Sequence, residues 1–474
     1  MDTLQHFYIN GQWTAPSAGS TQHTIINPAT EESVGSLAMA DAADIDAAIA
    51  AAHAAFPSWS ETPLETRLGY LEKILALYQD KLPAMAQAIS QEMGAPIGLA
   101  TNLQAPVGLM HIANNLEVAR EFTFEEEHGS SIIRHEPAGV CALITPWNWP
   151  MNQVMCKLAP ALAVGCTVVL KPSEFAALSA NVLAQIIDEA GLPAGVVNIV
   201  YGDGAKVGPQ LSSDPRIDVV SLTGSTRAGI SVSQEAATTI KRVSLELGGK
   251  SANILLPDCD LDAAVTHGVR AMMNNTGQSC NAPSRMLVPA DKLAEAEAIA
   301  ARACADIVVG DTTDEATIMG PIANGRQYQR VLSLIEQGVK EGAKLVCGGT
   351  EKPAGLDKGY YVQPTVFSDA NNDMTIAREE IFGPVLTMIP YQDLDDAVAI
   401  ANDTIYGLSG YVFGEPELAR SVANRLRTGN VHLNGAAPDF TTAFGGYKQS
   451  GVGREWGKYG FDEFLEIKAL FQPA

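Results

Sequence analysis

Positive charge is scarce in this chain: 31 lysines and arginines stand against 54 aspartates and glutamates, a formal net charge of −23. A nucleic-acid surface needs a basic face, so that class of function is excluded, and self-repulsion will keep the protein dispersed. Paired cysteines are lacking too. The chain has 7 cysteines, an odd number, and no two of them show CxxC spacing. That argues against a disulfide framework or a metal site and for a reducing cytoplasm. Long apolar runs are missing: the longest, 158–170, is interrupted by Pro160 and Gly165 and is too short to span a bilayer, so no membrane association is expected. The first residues, Met1-Asp2-Thr3-Leu4-Gln5-His6, put no basic segment before an apolar one, so no signal peptide is expected. Internal repeats and low-complexity segments are also missing.

What is present is the composition of a folded protein, 46% hydrophobic and 18% charged, over 474 residues. That is enough chain for two or three domains. Phe7-Tyr8-Ile9 and Gln12-Trp13 read as strands about an Asn10-Gly11 turn, and Asn27-Pro28-Ala29-Thr30 as a second turn. Helices are expected over 42–56 and 64–93; in the second, Leu64, Leu68, Leu71, Leu75 and Leu82 share one face and Gly94 caps the end. The polar, alternating stretch 122–134, with His128-Gly129 as its turn, reads as a hairpin that either packs on a partner subunit or lies on the surface. Strand-like runs near 139–145, 166–170, 196–200, 218–223 and 242–246 then alternate with helix-like runs near 151–164, 178–190, 205–213 and 226–237. This predicts a parallel sheet covered by helices, with ligands at the carboxyl ends of its strands. A second alternation starts at Ser251. It continues through helices near 290–305 and 324–341, a strand at 343–347 and a strand–helix–strand pattern over 385–414. The tail after Gly445 offers Phe461, Phe464, Leu465, Ile467 and Leu470 for a strand or an interface.

The residues just after the strands carry the chemistry. Thr145-Pro146-Trp147-Asn148-Trp149-Pro150 is a rigid turn opening a helix, with Asn148 either an amide donor or an ordinary cap. In Lys171-Pro172-Ser173-Glu174 an ammonium sits beside a carboxylate. A carboxylate there suits the two hydroxyls of a ribose and repels a 2′-phosphate, which favours NAD over NADP; the plain alternative is a solvated ion pair. Gly202-Asp203-Gly204-Ala205-Lys206-Val207-Gly208 is a glycine-rich turn without the dinucleotide spacing, and Leu222-Thr223-Gly224-Ser225 opens a helix whose N–H groups could face a phosphate. In Leu245-Glu246-Leu247-Gly248-Gly249-Lys250 the carboxylate is wedged between leucines, so desolvation should raise its pKa into the range of a usable base. Glu379-Glu380-Ile381-Phe382-Gly383-Pro384 combines acid, aromatic and rigid turn, and Gly453-Arg454-Glu455 closes another tight loop. Cys280 lies in Thr276-Gly277-Gln278-Ser279-Cys280-Asn281-Ala282-Pro283, between a helix-like and a strand-like run, where a thiol can face a cleft. None of the 8 histidines is near Cys280, Glu246 or Asn148 in the chain, which weakens a cysteine–histidine hydrolase reading.

In this order, Pro-Trp-Asn, Lys-Pro-Ser-Glu, Thr-Gly-Ser, Glu-Leu-Gly-Gly-Lys, Gly-Gln-Ser-Cys and Glu-Ile-Phe-Gly-Pro resemble the NAD(P)-dependent aldehyde dehydrogenase superfamily, and the likeness runs over nearly the whole chain. It implies an α/β fold of two parallel-sheet domains, a Rossmann-like cofactor domain (1–121 and 138–247) and a catalytic domain (248–444). A small β oligomerisation arm and tail (122–137 and 445–474) completes a homotetramer or homodimer. It implies Cys280 as nucleophile, Asn148 with the Cys280 N–H as oxyanion hole, and Glu246 as the base that hydrolyses a thioester. Cofactor contacts are implied for Thr145, Trp147, Lys171, Glu174, Gly204, Gly208, Gly224, Ser225, Leu247, Gly248, Glu380 and Phe382. The cofactor is NAD, with NADP the weaker alternative. Lys157 and Glu455 match a proton relay proposed in some members.

Trp149, Asn152, Cys156, Ser279, Asn281 and Phe444 are the candidate lining of the substrate tunnel. The sequence resembles a branch acting on medium- to long-chain aliphatic and ω-oxo-acid aldehydes. With Asn152 and Cys156 where many members carry bulky groups, the tunnel is expected to be narrowed less by aromatics, and no arginine stands ready for a carboxylate. The expectation is therefore oxidation of an uncharged aliphatic aldehyde to the acid. A semialdehyde or aromatic aldehyde is the first alternative, and a non-catalytic NAD-binding structural protein or a cysteine-dependent esterase come from other classes.

Overall fold

The computed structural model describes residues 2–473. Two large sheets dominate it. The first has eight strands in the order Gly451–Val452, Arg242–Glu246, Val219–Thr223, Val140–Ile144, Thr167–Lys171, Val197–Ile199, Phe7–Ile9, Gln12–Thr14. Its five central strands are parallel and its edges antiparallel. The four strands from Val140–Ile144 to Val219–Thr223 are joined by the helices Pro150–Val164, Ala177–Ala190 and Gly204–Ser213. Val140–Ile144, Thr167–Lys171 and Val219–Thr223, the middle of the sheet, are short, mostly apolar and fully buried runs, as strands covered on both faces must be. Strand order reverses between Val140–Ile144 and its neighbours on either side, so a crevice opens beyond their carboxyl ends.

The second sheet has seven strands, in the order Lys344–Cys347, Thr365–Ser368, Val385–Tyr391, Arg285–Pro289, Ala252–Leu255, Ser409–Phe413, Asn430–Leu433. All its pairings are parallel except that of Lys344–Cys347. One apolar core fills the first sheet and its helices, and two others lie on the second. A fourth, small cluster of Cys156, Leu408, Phe444 and Trp456 takes residues from both regions, with Cys280 and Phe440 packed on it. Among the described residues no helix is long and apolar enough to cross a membrane.

Several expectations change. The helix expected over 64–93 is two, Leu64–Asp80 and Leu82–Met93. Pro83 in the first turn of the second has no N–H to donate, so the chain turns at Lys81. Residues 21–39 form the antiparallel strands Thr21–Asn27 and Glu32–Met39, and Asp2–Leu4 pairs with the second of them in a sheet of their own. The hairpin is Glu125–His128 and Ser131–Pro137, and Leu465–Phe471 adds to it antiparallel over seven residue pairs. Not all of the tail belongs to that arm: Gly451 and Val452 pair with Glu246 and Leu245, which places this part of the tail at the edge of the eight-stranded sheet.

Candidate active site

The loop that carries Cys280 is rigid. Asn275, Thr276 and Gly277 have φ of 52°, 58° and 68° in succession, the left-handed region, which costs about 1 kcal/mol for each residue that is not glycine. Gly277 can be nothing else: a Cβ there would lie 2.2 Å from the Gly383 carbonyl oxygen. Side chains hold the strain in place. Gln104 Nε2 donates to Asn275 Oδ1 at 2.8 Å, Asn275 Nδ2 donates to the Asn148 carbonyl at 2.9 Å, and the Ala323 N–H donates to Gln278 Oε1 at 2.9 Å. Phe382 and Trp456, at 58° and 70°, are strained in the same way beside the same cleft.

Asn148 follows the strand Val140–Ile144 and is buried, and its Nδ2 donates to the Gln278 carbonyl at 3.0 Å. An amide has two N–H groups, so one remains for a ligand oxygen beside Cys280. The Cys280 residue is partly exposed. Burial first, then the negative Glu380 and Glu246, push its thiol up, while the N–H groups of Asn281 and Cys280 pull it down. Glu246 ends the strand Arg242–Glu246, is 3% exposed, and neither of its oxygens has a hydrogen-bond partner among the described residues. Burial, then Glu455, raises its pKa well above the usual carboxylate range. Cys280, Asn148 and Glu246, far apart in the chain, are thus brought to one place.

The cofactor candidates line the crevice at the strand ends. The Thr145 N–H donates to the Lys171 carbonyl at 3.1 Å, which ties two strand ends together. Lys171 is buried with Nζ 3.8 Å from Glu174 Oε2. Gly204 opens the next helix 3.8 Å from that Nζ, measured from where its Cβ would be, and Gly208 lies one turn inside the helix. The Gly224 N–H donates to the Glu246 carbonyl, and Ser225 caps the helix Thr226–Ala236. Beyond them a cavity of about 370 Å³ is lined by Thr226, Gly229, Ile230, Leu245, Leu247 and Val452 among others. At the far side Glu380 Oε1 accepts from the Gly249 N–H at 3.1 Å. The Glu380 carboxylate lies close over Gly248: a Cβ there would meet Glu380 Oε2 at 2.2 Å, so a larger residue would push that carboxylate aside. Trp147 and Phe382 meet edge to face at 5.5 Å.

Around Cys280 the walls differ from expectation. Trp149 Nε1 donates to Ser279 Oγ at 2.8 Å, and the Asn281 carbonyl accepts from Tyr411 at 2.9 Å. Phe444 stacks on Trp456 at 4.4 Å, and Phe440 packs on the same ring at 4.7 Å. The pocket is therefore well supplied with aromatics, from the C-terminal segment rather than from the helix that carries Asn152. His111, on the helix Ala105–Glu121, places Nε2 2.7 Å from Asn152 Oδ1 and packs against Phe440 and Trp456. Sequence reasoning missed His111, Phe440 and Trp456. Only Trp456 had a local signal, as the neighbour of the Gly453-Arg454-Glu455 turn.

Lys157 and Glu455 form a direct ion pair, 1% and 5% exposed at the side chain, and Cys156 Sγ lies 3.2 Å from Glu455 Oε2. Burial lowers the Lys157 pKa, but Glu455, Cys156 and Glu246 together outweigh it and the net shift is upward. Glu455→Ala would leave that ammonium buried alone, a loss of about 3–5 kcal/mol. Urea denaturation is expected to show this loss, and a Lys157→Met/Glu455→Met double variant is expected to recover most of it.

A cleft between a doubly wound sheet and a second parallel sheet, with a strained cysteine loop at its floor and a buried carboxylate beside it, is the architecture of a dehydrogenase that works through a thiol. A sequence profile described as the aldehyde dehydrogenase family matches residues 13–470. The chain is 58% identical to a 3-succinoylsemialdehyde-pyridine dehydrogenase from a Pseudomonas species, over 99% of each protein. Its structure resembles that of aldehyde dehydrogenase C from Pseudomonas syringae, a cysteine-to-alanine mutant in complex with NAD+ and octanal, with a TM-score of 0.98, 52% identity and coverage of 99% and 97%. It also resembles an aldehyde dehydrogenase from Mycobacterium tuberculosis in complex with NAD+, with a TM-score of 0.96, 40% identity and coverage of 99% and 98%. The chain belongs to the aldehyde dehydrogenase family. It is an oxidoreductase that oxidises an aldehyde.

Proposed function

We propose that this protein oxidises an uncharged medium- to long-chain aldehyde to its carboxylic acid with NAD as hydride acceptor. The observation that carries the reading is the meeting of Cys280, the Asn148 amide and the unpartnered Glu246 carboxylate in one cleft. The Cys280 thiolate attacks the aldehyde carbon. The spare Asn148 N–H and the Cys280 N–H hold the alkoxide of the thiohemiacetal. Bound NAD would supply the acceptor for the hydride on this tetrahedral carbon. The thioester left on Cys280 is then hydrolysed by water that gives its proton to Glu246, and Lys157 with Glu455 relays that proton outward.

The crevice suits a dinucleotide. Lys171 and Glu174 hold a ribose, and Ser225 and Gly224 with Trp147 and Thr145 face the pyrophosphate. Leu247 borders the apolar cavity, and Glu380, Gly248 and Phe382 take the nicotinamide end. The proposed division into a cofactor domain, a catalytic domain and an arm keeps 451–452 with the first. The arm joins copies into a dimer or tetramer, supported by Ile467 and Phe471, which are 70% and 86% exposed on its third strand; light scattering tests the assembly.

A screen of aldehyde chain length with NAD tests the function, and absence of NADH from the whole panel would sink it. Glu174→Gln removes the charge that opposes a 2′-phosphate. The ratio of kcat/KM for NADP to that for NAD is expected to rise about tenfold, roughly 1.4 kcal/mol.

A further inference from the structure

Resting on that reading, we propose that Asn152, oriented by His111, donates a hydrogen bond to a neutral acceptor in the tail of the aldehyde, and so selects functionalised aldehydes over plain alkyl chains. The pair lies beside the aromatic cluster on which Cys280 packs. His111 is 1% exposed and packed against Phe440 and Trp456, which belong to the aromatic group that reaches Cys280. Its backbone carbonyl is held by Asn115 Nδ2 at 2.8 Å. The ring therefore has little freedom. An amide oxygen can only accept, so His111 Nε2–H donates to Asn152 Oδ1 at 2.7 Å. That bond turns the Asn152 NH2 away from the ring. Among the described residues this NH2 has no hydrogen-bond partner, and Asn152 itself is half-buried, in the first turn of the helix Pro150–Val164, one turn before Cys156 of the same cluster.

The acceptor must be neutral. Burial brings the His111 pKa down to about 4, so the ring carries no charge at working pH. The nearest cation of the cluster, Lys157, is already paired with Glu455. A carboxylate in the tail would find no counter-charge; a ketone, amide or heteroaromatic nitrogen would need none. A plain alkyl chain filling the same space displaces water from the Asn152 NH2 and leaves a donor unpaired, which is the arrangement that rejects a substrate lacking the acceptor. The relative named for a succinoylsemialdehyde on a pyridine acts, by its name, on a compound rich in such acceptors.

The test compares octanal with keto-octanals of equal length whose ketone is moved stepwise along the chain, as a ratio of kcat/KM within one enzyme preparation. Such a ratio does not depend on how much of a variant is folded. The wild type is expected to prefer at least one keto isomer by about five- to tenfold. Asn152→Leu, of nearly the same size, should bring the ratio to about one or below, with octanal improved. His111→Phe should reduce the preference through misplacement of Asn152, and His111→Gln, which keeps a donor, should restore part of it. Equal use of octanal and every keto isomer by the wild type, or a preference unchanged in Asn152→Leu, overturns this inference and leaves aldehyde oxidation standing. Failure to oxidise any aldehyde overturns both.

Discussion

Cys280→Ala is expected to form no NADH above background from any aldehyde, a fall of at least about 10⁴-fold in kcat, while NAD still raises its melting temperature. The reason is electronic. An aldehyde carbon is planar and its hydrogen cannot leave as hydride until a nucleophile has put a pair of electrons on oxygen. Alanine supplies none, and the spare Asn148 N–H can only hydrogen-bond the aldehyde oxygen, not add to its carbon. The separate assay of cofactor binding matters because the strained loop could have needed the thiol. Its scaffold does not: Gln104, Asn275, Asn148 and Gln278 bond to one another without the sulfur. A variant with normal turnover would remove Cys280 from the mechanism; one that has lost NAD stabilisation as well would show that the loop had collapsed.

The central sheet was legible because its signals are local. Val219–Thr223 and Thr167–Lys171 are short apolar runs with a helix-like run between turns, and a parallel sheet is the arrangement that buries both faces of such strands. The site residues were legible for a related reason. Each stands at the carboxyl end of a strand or in a turn whose residue types are unusual, so Asn148, Lys171, Glu246 and Cys280 mark themselves. The strands Thr21–Asn27 and Glu32–Met39 gave no such mark. They are largely polar and half-exposed; they pair with each other as a hairpin, and the third strand of their sheet, Asp2–Leu4, meets Glu32–Met39 from some thirty residues away.

Part of the wall beside Cys280, namely His111, Phe440 and Trp456, was illegible because it is assembled from far-apart positions. His111 meets Asn152 across a separation of 41 residues, and Glu455 meets Cys156 across 299. Nothing in the spacing of either residue points to the other. The expectation of a pocket with few aromatics came from reading the one helix after Asn148. Phe440, Phe444 and Trp456 enter from the segment after the last strand of the second sheet, and Trp456 does so in a left-handed conformation that a sequence does not announce.

Glu246→Gln is expected to complete hydride transfer and then stop. One equivalent of NADH should appear, followed by turnover slower by about 10²–10⁴-fold, and mass spectrometry should find the acyl group on Cys280. The electrostatics explain why the carboxylate can serve the second half-reaction without hindering the first. Glu246 raises the pKa of Cys280, and by reciprocity a thiolate raises that of Glu246. The dry cleft therefore disfavours both charges at once. The partly exposed Cys280 thiol gives its proton to solvent and attacks as the thiolate while Glu246 keeps its own proton. Once Cys280 is a thioester its charge is gone, the pKa of Glu246 falls, and the ionised carboxylate takes a proton from water. Deacylation should thus rise with pH through the elevated pKa of Glu246. Stability should run the other way. An acid raised by burial binds its proton more tightly folded than unfolded, so the wild type loses stability as pH rises from the ordinary carboxylate range towards that elevated pKa. A glutamine side chain cannot ionise, so the Glu246→Gln variant should melt above the wild type at neutral pH, by about 2 °C, with the gap closing in acid. Thioester accumulation together with a higher melting temperature would identify one group that costs stability and performs hydrolysis. Normal turnover with no acyl adduct would mean that another base activates the water.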